Sequence, residues 1–204
     1  MFKKHHSIQY IFSRLGQKFF EYKHPDAPWL TQQAVLLLDH LIRPSDRGLE
    51  FGSGRSTKWF ARRCHHLHSI EHHEGWFRKV DAEIASLTNV KYELKELSTN
   101  NPRLSPYVLV LEKIASNGID FILVDGQCRD ILCLSSIEKL RSGGLLILDN
   151  AERYVPNKYN IPESIGKDTD RMTENWREFL DQIQDWRRIW TSNGVTATLI
   201  LFKP

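Results

Sequence analysis

The chain has little of what marks several large protein classes. Its 204 residues include only three cysteines, Cys64, Cys128 and Cys133, an odd number without metal-type spacing. We therefore expect reduced thiols and a cytoplasmic location. The longest apolar stretches, such as residues 143–148, are too short to cross a bilayer, and charged residues stand where a signal peptide would be apolar. These absences exclude a disulfide scaffold and stable membrane insertion.

The sequence also has no large excess of positive or negative charge. The formal net charge is +3, and no long basic run is present, so the sequence does not predict a nucleic-acid partner. The hydrophobic fraction of 41% and the charged fraction of 26% are ordinary for a globular protein. A chain of this length is expected to form one domain with a full core.

The N-terminal region carries apolar residues at helical spacing, interleaved with basic ones. The apolar positions in residues 1–23 are Ile8, Ile11, Phe12, Leu15, Phe19 and Phe20. A basic amphipathic helix can dock on a membrane surface or on a partner, but packing on its own domain is the commoner outcome and the one we expect. We assign residues 1–27 to an N-terminal amphipathic helical extension and residues 28–204 to the main domain.

The main domain alternates short apolar strands with helices. After a helix over residues 31–42, strands are predicted to end at residue 50 and to cover 66–70, 90–94, 119–124 and 145–148. Helices are predicted from residue 56, across 76–84, and over 108–115, 131–140 and 174–183. Strands 188–191 and 196–202 flank Ser192-Asn193-Gly194 as a hairpin. The pattern predicts an α/β fold with a seven-stranded, mostly parallel sheet that ends in an antiparallel β-hairpin.

The loop after the first strand is the most informative segment. Gly52, Ser53 and Gly54 allow a sharp turn and a close approach to a ligand, and Ser56 or Thr57 can cap the next helix. Nicotinamide-binding loops carry a third glycine, which is missing here. Glu50 precedes the turn, and its charge suits an ammonium or sulfonium group better than a pyrophosphate.

An acid at the end of the second strand completes this pattern. Glu71 can accept hydrogen bonds from two ribose hydroxyls, and His72 beside it is a candidate contact to the same nucleoside. A Gly-x-Gly pair alone is equally typical of a surface turn. Glu50, Glu71 and the alternating strands together favour a nucleoside cofactor.

At this point residues 30–204 resemble the class I S-adenosylmethionine-dependent methyltransferases. Residues 50–54 are similar to the family's first motif, and the string Gly-Ser-Gly-Arg-Ser-Thr at 52–57 resembles a branch with a Gly-Ser-Gly-x-Ser-Thr loop. Residues 69–72, 121–126 and 143–150 resemble later motifs. The resemblance implies a Rossmann-like three-layer sandwich, a methyltransferase domain over residues 28–204, and S-adenosyl-L-methionine as cofactor, bound by residues that include Glu71 and Asp125.

Two carboxylates and an amide follow the fourth and fifth strands. Asp125, Asp149 and Asn150 suit a hard cation such as Mg²⁺, and the set is similar to that of catechol- and caffeoyl-CoA-type O-methyltransferases. The catechol enzymes carry a lysine shortly after the first aspartate, whereas this chain has Arg129, which keeps its proton and would orient an anionic substrate. Asp125, Asp149 and Arg129 are therefore the predicted catalytic residues. Alternatively, Asp125 shapes the cofactor pocket and Asp149 caps a turn.

Residues 151–173 form a long polar segment without periodicity, typical of a functional loop. Arg153 and Tyr154 at its start are candidate substrate contacts, with ordinary surface residues as the alternative. His65, His66 and His68 do not predict a metal site, since neighbouring strand residues point to opposite faces.

The sequence thus predicts a methyltransferase, with O-methylation of a small-molecule or sugar-like hydroxyl and optional Mg²⁺ assistance as the leading hypothesis. A non-catalytic S-adenosylmethionine-binding scaffold and an NAD(P)-dependent oxidoreductase are the alternatives. A homodimer is left open. The acceptor is not identified, because specificity in such folds lies in variable segments.

Overall fold

The computed structural model describes residues 8–98 and 100–204, and its centre is a seven-stranded sheet between two layers of helices. The strands are β1 (Arg47–Phe51), β2 (His66–Glu71), β3 (Val90–Leu94), β4 (Ile119–Val124), β5 (Leu140–Asp149), β6 (Arg187–Ser192) and β7 (Ala197–Phe202). The α-helices are α1 (Ile8–Lys23), α2 (Gln32–Leu41), α3 (Arg55–Ala61), α4 (Glu74–Ile84), α5 (Pro106–Leu109), α6 (Arg129–Ser136) and α7 (Glu174–Gln182). This arrangement confirms the predicted α/β fold.

The strand order places two sets of loops side by side. The order is β3-β2-β1-β4-β5-β7-β6, in which β1 to β5 pair in parallel and β7 pairs antiparallel with both β5 and β6. Successive strands are added on one side of β1 as far as β3, and then on its other side from β4 onwards. The carboxyl ends of neighbouring strands diverge at such a point, and this is where open α/β sheets bind ligands.

Burial on both faces explains the apolar character of the central strands. Phe121, Ile122, Leu123 and Val124 of β4 have no exposed surface, because α2 and α3 cover one face of the sheet and α6 and α7 cover the other. A strand buried on both sides reads as a continuous apolar run rather than an alternating one. The core therefore fixes the strand ends in place.

One predicted helix is largely absent. In place of a helix over 108–115, the chain forms the four-residue α5 and then a 3-10 turn at Val110–Lys113. The β-branched residues at 108 and 110 have poor helix propensity, which explains the short element. A cavity of about 600 Å³ lies between this segment and the strands β2 and β3, with His68, Glu93 and Val110 among its lining residues.

A second predicted helix is shorter than expected. α6 ends at Ser136, and β5 begins at Leu140 and runs through the glycine pair. Gly143 has a φ of +74°, and a Cβ on Gly144 would lie 2.9 Å from two backbone carbonyl oxygens. The glycines therefore allow an irregular start to β5 rather than a break before it.

The N-terminal helix forms as predicted over the described part, Ile8–Lys23, while residues 1–7 of that prediction lie outside the described residues. The boundary between residues 27 and 28 stays a prediction. Cys64, Cys128 and Cys133 are free thiols. Among the described residues, no helix combines the length and the apolar character needed to span a bilayer.

Candidate functional site

The glycine loop after β1 packs on the loop after β4. Gly52 has a φ of +90°, and a Cβ there would lie 2.7 Å from the backbone nitrogen of Gly126 and 2.8 Å from the carbonyl carbon of Asp125. Only glycine accommodates both the conformation and the close approach. The backbone N–H of Asp125 donates to the carbonyl oxygen of Phe51 at 2.9 Å, which holds the two loops together.

Glu50 lies beneath this loop and is fully buried. Its Oε2 accepts hydrogen bonds from the hydroxyls of Thr57 at 2.6 Å and Ser69 at 2.5 Å. Its Oε1 is enclosed and has no hydrogen-bond partner among the described residues. Burial raises the pKa of Glu50 to about 7, against the opposing effect of the hydroxyls of Ser56, Ser69 and Thr57. The contact of Glu50 with a cationic group of the cofactor stays a prediction; the structure shows that Glu50 joins the loop to α3.

Glu71 at the end of β2 is the most heavily hydrogen-bonded acid of the site. Its Oε1 accepts from the backbone N–H groups of His72 and His73, both at 2.8 Å. Its Oε2 accepts from the N–H and the hydroxyl of Ser53 at 3.0 and 3.1 Å. Burial acts to raise the pKa of Glu71, but the hydrogen bonds from His72, His73 and Ser53 outweigh it and lower the pKa to about 2. Glu71 is therefore a fixed anion.

Ser53 has a second partner, which makes its hydroxyl exchangeable. Its Oγ lies 2.6 Å from the hydroxyl of Tyr92, and its carbonyl oxygen accepts from the indole N–H of Trp76 at 2.6 Å. If Ser53 turns to Tyr92 alone, Glu71 gains room to accept another hydroxyl. Neither Tyr92 nor Trp76 was predicted as a site residue, because each reads as an ordinary packing aromatic in sequence.

Tyr107 of α5 is a further residue that sequence reasoning missed. Its side chain is fully buried, its ring centroid lies 5.4 Å from that of His72, and a Cβ on Gly126 would approach its hydroxyl to 2.0 Å. The hydroxyl is enclosed without a hydrogen-bond partner among the described residues. His72 Nδ1 lies 3.1 Å from Glu71 Oε1. In the sequence, the glycine at position 126 of a predicted motif was the one sign that a large side chain packs closely there.

The two predicted catalytic carboxylates are brought together at the ends of β4 and β5. Asp149 is buried and accepts from the hydroxyl of Thr198 at 2.9 Å. Burial raises the pKa of Asp125 to about 7, with the Asp149 carboxylate as the next cause, and burial raises that of Asp149 to about 6. The side chain of Asp125 keeps 31% of its surface open, whereas Asp149 is buried; we call the opening between these two strand ends the cleft.

Arg129, the first residue of α6, fills the space between the two strand ends. Its Nε donates to the carbonyl of Gly126 at 2.8 Å, and its Nη2 donates to the carbonyl and to Oδ1 of Asp125 at 2.8 and 2.9 Å. Its Nη1 donates to the carbonyl of Asp149 and, at 3.2 Å, to Oδ1 of Asn150. A guanidinium has five N–H groups, and these five contacts engage all of them. Arg129 therefore positions this cleft, and has no donor left for the predicted role of orienting a substrate.

Asn150 is held by a second set of buried polar groups. It adopts a left-handed conformation with a φ of +50° and donates from Nδ2 to the hydroxyl of Thr196 at 2.8 Å. Glu152 is buried behind it and accepts from the backbone N–H of Ala197 at 2.9 Å. Thr196, Thr198 and Glu152 were not predicted; two threonines in an otherwise apolar strand were the signal that could have revealed them.

A cavity of about 370 Å³ opens beside Arg129, and the predicted substrate residues line it. Its walls come from the loop after β4, from Arg153 and Tyr154, and from Arg171 and Trp176. The rings of Tyr154 and Trp176 stack with centroids 5.5 Å apart, and Arg153 pairs with Glu163 at 3.0 Å. The 151–173 segment thus builds one wall of this cavity, whose charged lining residues are Arg129, Arg153, Arg171 and Asp130.

The residues do not fit the predicted Mg²⁺ site. The guanidinium of Arg129 already occupies the space where Asp125 and Asn150 converge, so a divalent cation would meet a fixed positive charge. The described residues contain no group of three or more histidine, cysteine, aspartate or glutamate side chains that could hold a metal ion.

The residues do fit a polar nucleoside cofactor. Two enclosed atoms, Glu50 Oε1 and Tyr107 Oη, have no hydrogen-bond partner within the described chain, and both lie at the carboxyl edge of the sheet. Buried polar groups are normally paired, so unpaired ones next to a glycine loop indicate the place of a ligand.

Comparisons with known proteins identify the fold. No protein-family model and no curated protein matches the sequence. A Staphylococcus aureus protein assigned as a caffeoyl-CoA O-methyltransferase has a TM-score of 0.58 and 14% identity, covering 93% of this chain and 100% of its own. The N-methyltransferase NodS from Bradyrhizobium japonicum has a TM-score of 0.52 and 12% identity, covering 84% and 93%. A SAM-dependent O-methyltransferase from Thermotoga maritima has a TM-score of 0.53 and 12% identity, covering 90% and 69%. The chain therefore has the Rossmann-like methyltransferase fold.

Proposed function

We propose that the protein is an S-adenosylmethionine-dependent methyltransferase that methylates a hydroxyl group of a small anionic acceptor. The observation that carries the proposal is the contact of Gly52 with the Asp125–Gly126 backbone. It brings a cofactor-type loop and a pair of carboxylates to one edge of the sheet, in a fold shared with methyltransferases.

The cofactor end is supplied by β1, β2 and α5. When bound, S-adenosylmethionine supplies an activated methyl group on a sulfonium leaving group. Glu71 would accept hydrogen bonds from the ribose as Ser53 turns to Tyr92, and the enclosed hydroxyl of Tyr107 would gain a partner. Glu50 would keep the loop joined to α3 through Thr57.

The acceptor end requires a base, because a hydroxyl is a weak nucleophile until its proton is removed. Asp125 lines the cleft, and the hydrogen bond from Arg129 at 2.9 Å leaves its second oxygen for an acceptor hydroxyl. Asp149 supports the same cleft from behind and is fixed by Thr198. In this arrangement Asp125 takes the proton, and Arg129 supplies the positive charge that related O-methyltransferases are expected to draw from a metal. The proposed reaction is therefore independent of Mg²⁺.

The lining of the cavity beside the cleft supports an anionic acceptor. Arg153 and Arg171 give its wall two positive charges, while the stacked rings of Tyr154 and Trp176 offer a flat apolar surface. A carboxylate or phosphate on the acceptor would pair with the arginines, and an aromatic or sugar ring would pack on the aromatic wall. Hydroxylated aromatic acids and sugar acids both meet these requirements.

Calorimetry tests the cofactor. S-adenosylhomocysteine, the demethylated product, should bind the purified protein, whereas NADH should not. Binding of NADH without binding of S-adenosylhomocysteine would instead support the oxidoreductase alternative and overturn the proposal.

A transfer assay tests the reaction. Methyl-labelled S-adenosylmethionine is incubated with a panel of hydroxylated acids and with their uncharged methyl esters, in buffer with excess chelator and in buffer with Mg²⁺. We expect label in the acids, little in the esters, and the same rate in both buffers. A rate that depends on Mg²⁺ would contradict the role given to Arg129. Cofactor binding without any labelled product would favour the scaffold alternative.

A further inference from the structure

Helix α1 presents its apolar side chains to solvent rather than to the protein. The exposed fractions are 73% for Ile8, 52% for Ile11, 69% for Phe12, 57% for Leu15, 60% for Phe19 and 84% for Tyr22. At 100° per residue, these six positions share one stripe about 100° wide along the helix. No residue of α1 is buried. Of the six apolar residues expected to pack on the domain, Phe20 packs against the core, whereas the other five are exposed, so the expectation is wrong for most of this face.

The face of α1 that meets the protein is the more polar one. Its half-buried positions are Tyr10, Ser13, Gln17, Phe20 and Glu21. Ser13 lies close enough to Gly194 that a Cβ there would approach its hydroxyl to 2.2 Å, and the carbonyl of Gly16 accepts from Gln32 at 3.4 Å. This orientation leaves a contiguous apolar surface in water, as is typical of an interaction site.

Basic residues lie on both sides of the apolar stripe. Arg14 and Lys18 are exposed along one edge and Lys23 along the other, where its Nζ lies 4.6 Å from the centre of the Phe19 ring. Glu21 is the only acid of the helix; it is half-buried and accepts from Gln17 at 2.9 Å. The exposed surface of α1 is therefore apolar in the middle and cationic at its edges.

We propose that α1 docks this protein onto an anionic lipid surface, lying in the plane of the interface. The apolar stripe would enter the boundary between headgroups and acyl chains, while Arg14, Lys18 and Lys23 pair with anionic headgroups. A second copy of the chain fits less well, because two such helices would bring basic edges together without an exposed acid to pair with them. Charge complementarity thus selects the lipid surface over a homodimer through α1.

The position of α1 connects docking to the cleft. Ser13 touches the hairpin turn at Gly194, and Thr196 in the same turn holds Asn150 beside Arg129. A docked α1 would therefore place the acceptor end of the sheet near the bilayer surface, which suits an acceptor that collects there. The docking surface does not depend on the proposed reaction. A negative result in the vesicle experiment would therefore leave the proposed methyl transfer standing, and a negative result in the transfer assay would leave the docking proposal standing.

Vesicle co-sedimentation of the full chain tests the proposal. Vesicles of phosphatidylcholine alone are compared with vesicles that contain phosphatidylserine. The wild-type chain should sediment with the anionic vesicles at low salt, and the double variant Phe12→Ser, Phe19→Ser should lose this binding. Leu104→Ser is the matched apolar control, since Leu104 is 65% exposed on another part of the chain; it should bind as the wild type does.

A second pair of variants separates charge from apolar contact. Arg14→Glu with Lys18→Glu should lower the partition coefficient about thirtyfold or more, since two basic side chains that attract the anionic surface are lost. Lys113→Glu, also exposed, is the matched control. Equal binding to neutral vesicles, or no binding to either kind, would overturn the proposal. So would a homodimer, seen by light scattering, that Phe12→Ser and Phe19→Ser abolish.

Discussion

The cofactor loop and the acceptor cleft lie at the same edge of the sheet but are built differently. The loop is fixed by contacts that several residues share, such as the Thr57 hydroxyl on Glu50 and the Ser53 amide on Glu71. The cleft is fixed by Arg129, whose single guanidinium joins the end of β4 to the end of β5. A loop held by several motif residues can be recognised from residue types at fixed spacing, whereas a cleft joined by one side chain depends on where the fold places that side chain.

This difference assigns opposite electrostatic roles to the two regions. At the loop, protein donors surround the anionic Glu71 and leave a place for neutral hydroxyls. At the cleft, a fixed cation neutralises two carboxylates whose pKa values burial raises. The comparison predicts that the loop tolerates changes in the cleft, and that the cleft fails without its cation.

Replacing Arg129 should have the largest effect. Arg129→Met removes the single cation that contacts Asp125 and leaves the carbonyls of Gly126 and Asp149 without their donors. Removing one partner of a buried ion pair typically lowers the free energy of unfolding by about 3 to 5 kcal/mol. Because Asp125 is partly exposed, we expect a loss at the lower end of this range. Denaturant unfolding measures the loss. Affinity for S-adenosylhomocysteine, measured at a temperature where the variant is folded, should stay within a few-fold of wild type.

Arg141→Met is the matched control, because Arg141 pairs with Asp120 while 43% of its side chain is exposed. Such a pair contributes less than about 1 kcal/mol. Equal destabilisation by the two variants would mean that Arg129 is an ordinary surface arginine. Loss of cofactor binding in a folded Arg129→Met protein would show that the cofactor loop depends on Arg129.

The same separation explains which features could be predicted from sequence. The strands, the glycine loop and Glu71 follow from local patterns, and the structure confirms the strands at nearly their predicted positions. The contacts of Arg129 could not be predicted, because no local rule states that a helix N-terminal arginine will meet Asn150. Tyr107 was missed for a related reason: it precedes the predicted helix over 108–115, and the short α5 that forms instead at Pro106–Leu109 sets the direction of its side chain.

Glu50→Gln should have the next largest effect, and it depends on pH. Because the pKa of Glu50 is raised to about 7 in the folded protein, folding favours its protonated form. Its contribution to stability is fully present below about pH 4.5 and is lost as pH rises through 7. A shift from 4.5 to about 7 corresponds to at most about 3 kcal/mol. Glutamine accepts the same hydroxyl hydrogen bonds without ionising, so the variant should be more stable than wild type at pH 8.

The measurement is the free energy of unfolding of both proteins from pH 5 to pH 8. The difference between variant and wild type should be small at pH 5 and should grow towards pH 8. Glu74→Gln, on the exposed first turn of α4, is the control and should show no such trend. A constant difference across this range would mean that Glu50 ionises as an ordinary surface acid does.

Glu71→Ala should weaken cofactor binding more than it changes any property of the cleft. Each hydrogen bond to a charged group contributes about 1.5 to 3 kcal/mol, so loss of the ribose acceptor should lower affinity for S-adenosylhomocysteine about 10- to 150-fold in calorimetry. Glu74→Ala, three residues later, should leave the affinity unchanged. An unchanged affinity in Glu71→Ala would remove the cofactor role from the loop.

Tyr107→Phe should have the smallest effect, and in opposite directions for stability and binding. The variant removes only the enclosed hydroxyl, which has no hydrogen-bond partner among the described residues, and keeps the edge-to-face contact of the ring with Phe51. Removing an unpaired buried polar group should stabilise the ligand-free protein by about 1 kcal/mol. Affinity for S-adenosylhomocysteine should fall about three- to tenfold, because the hydroxyl gains its partner only from the ligand. Lower stability together with unchanged affinity would instead show that the hydroxyl is hydrogen-bonded within the protein, and Tyr107 would then belong to the core rather than to the cofactor loop.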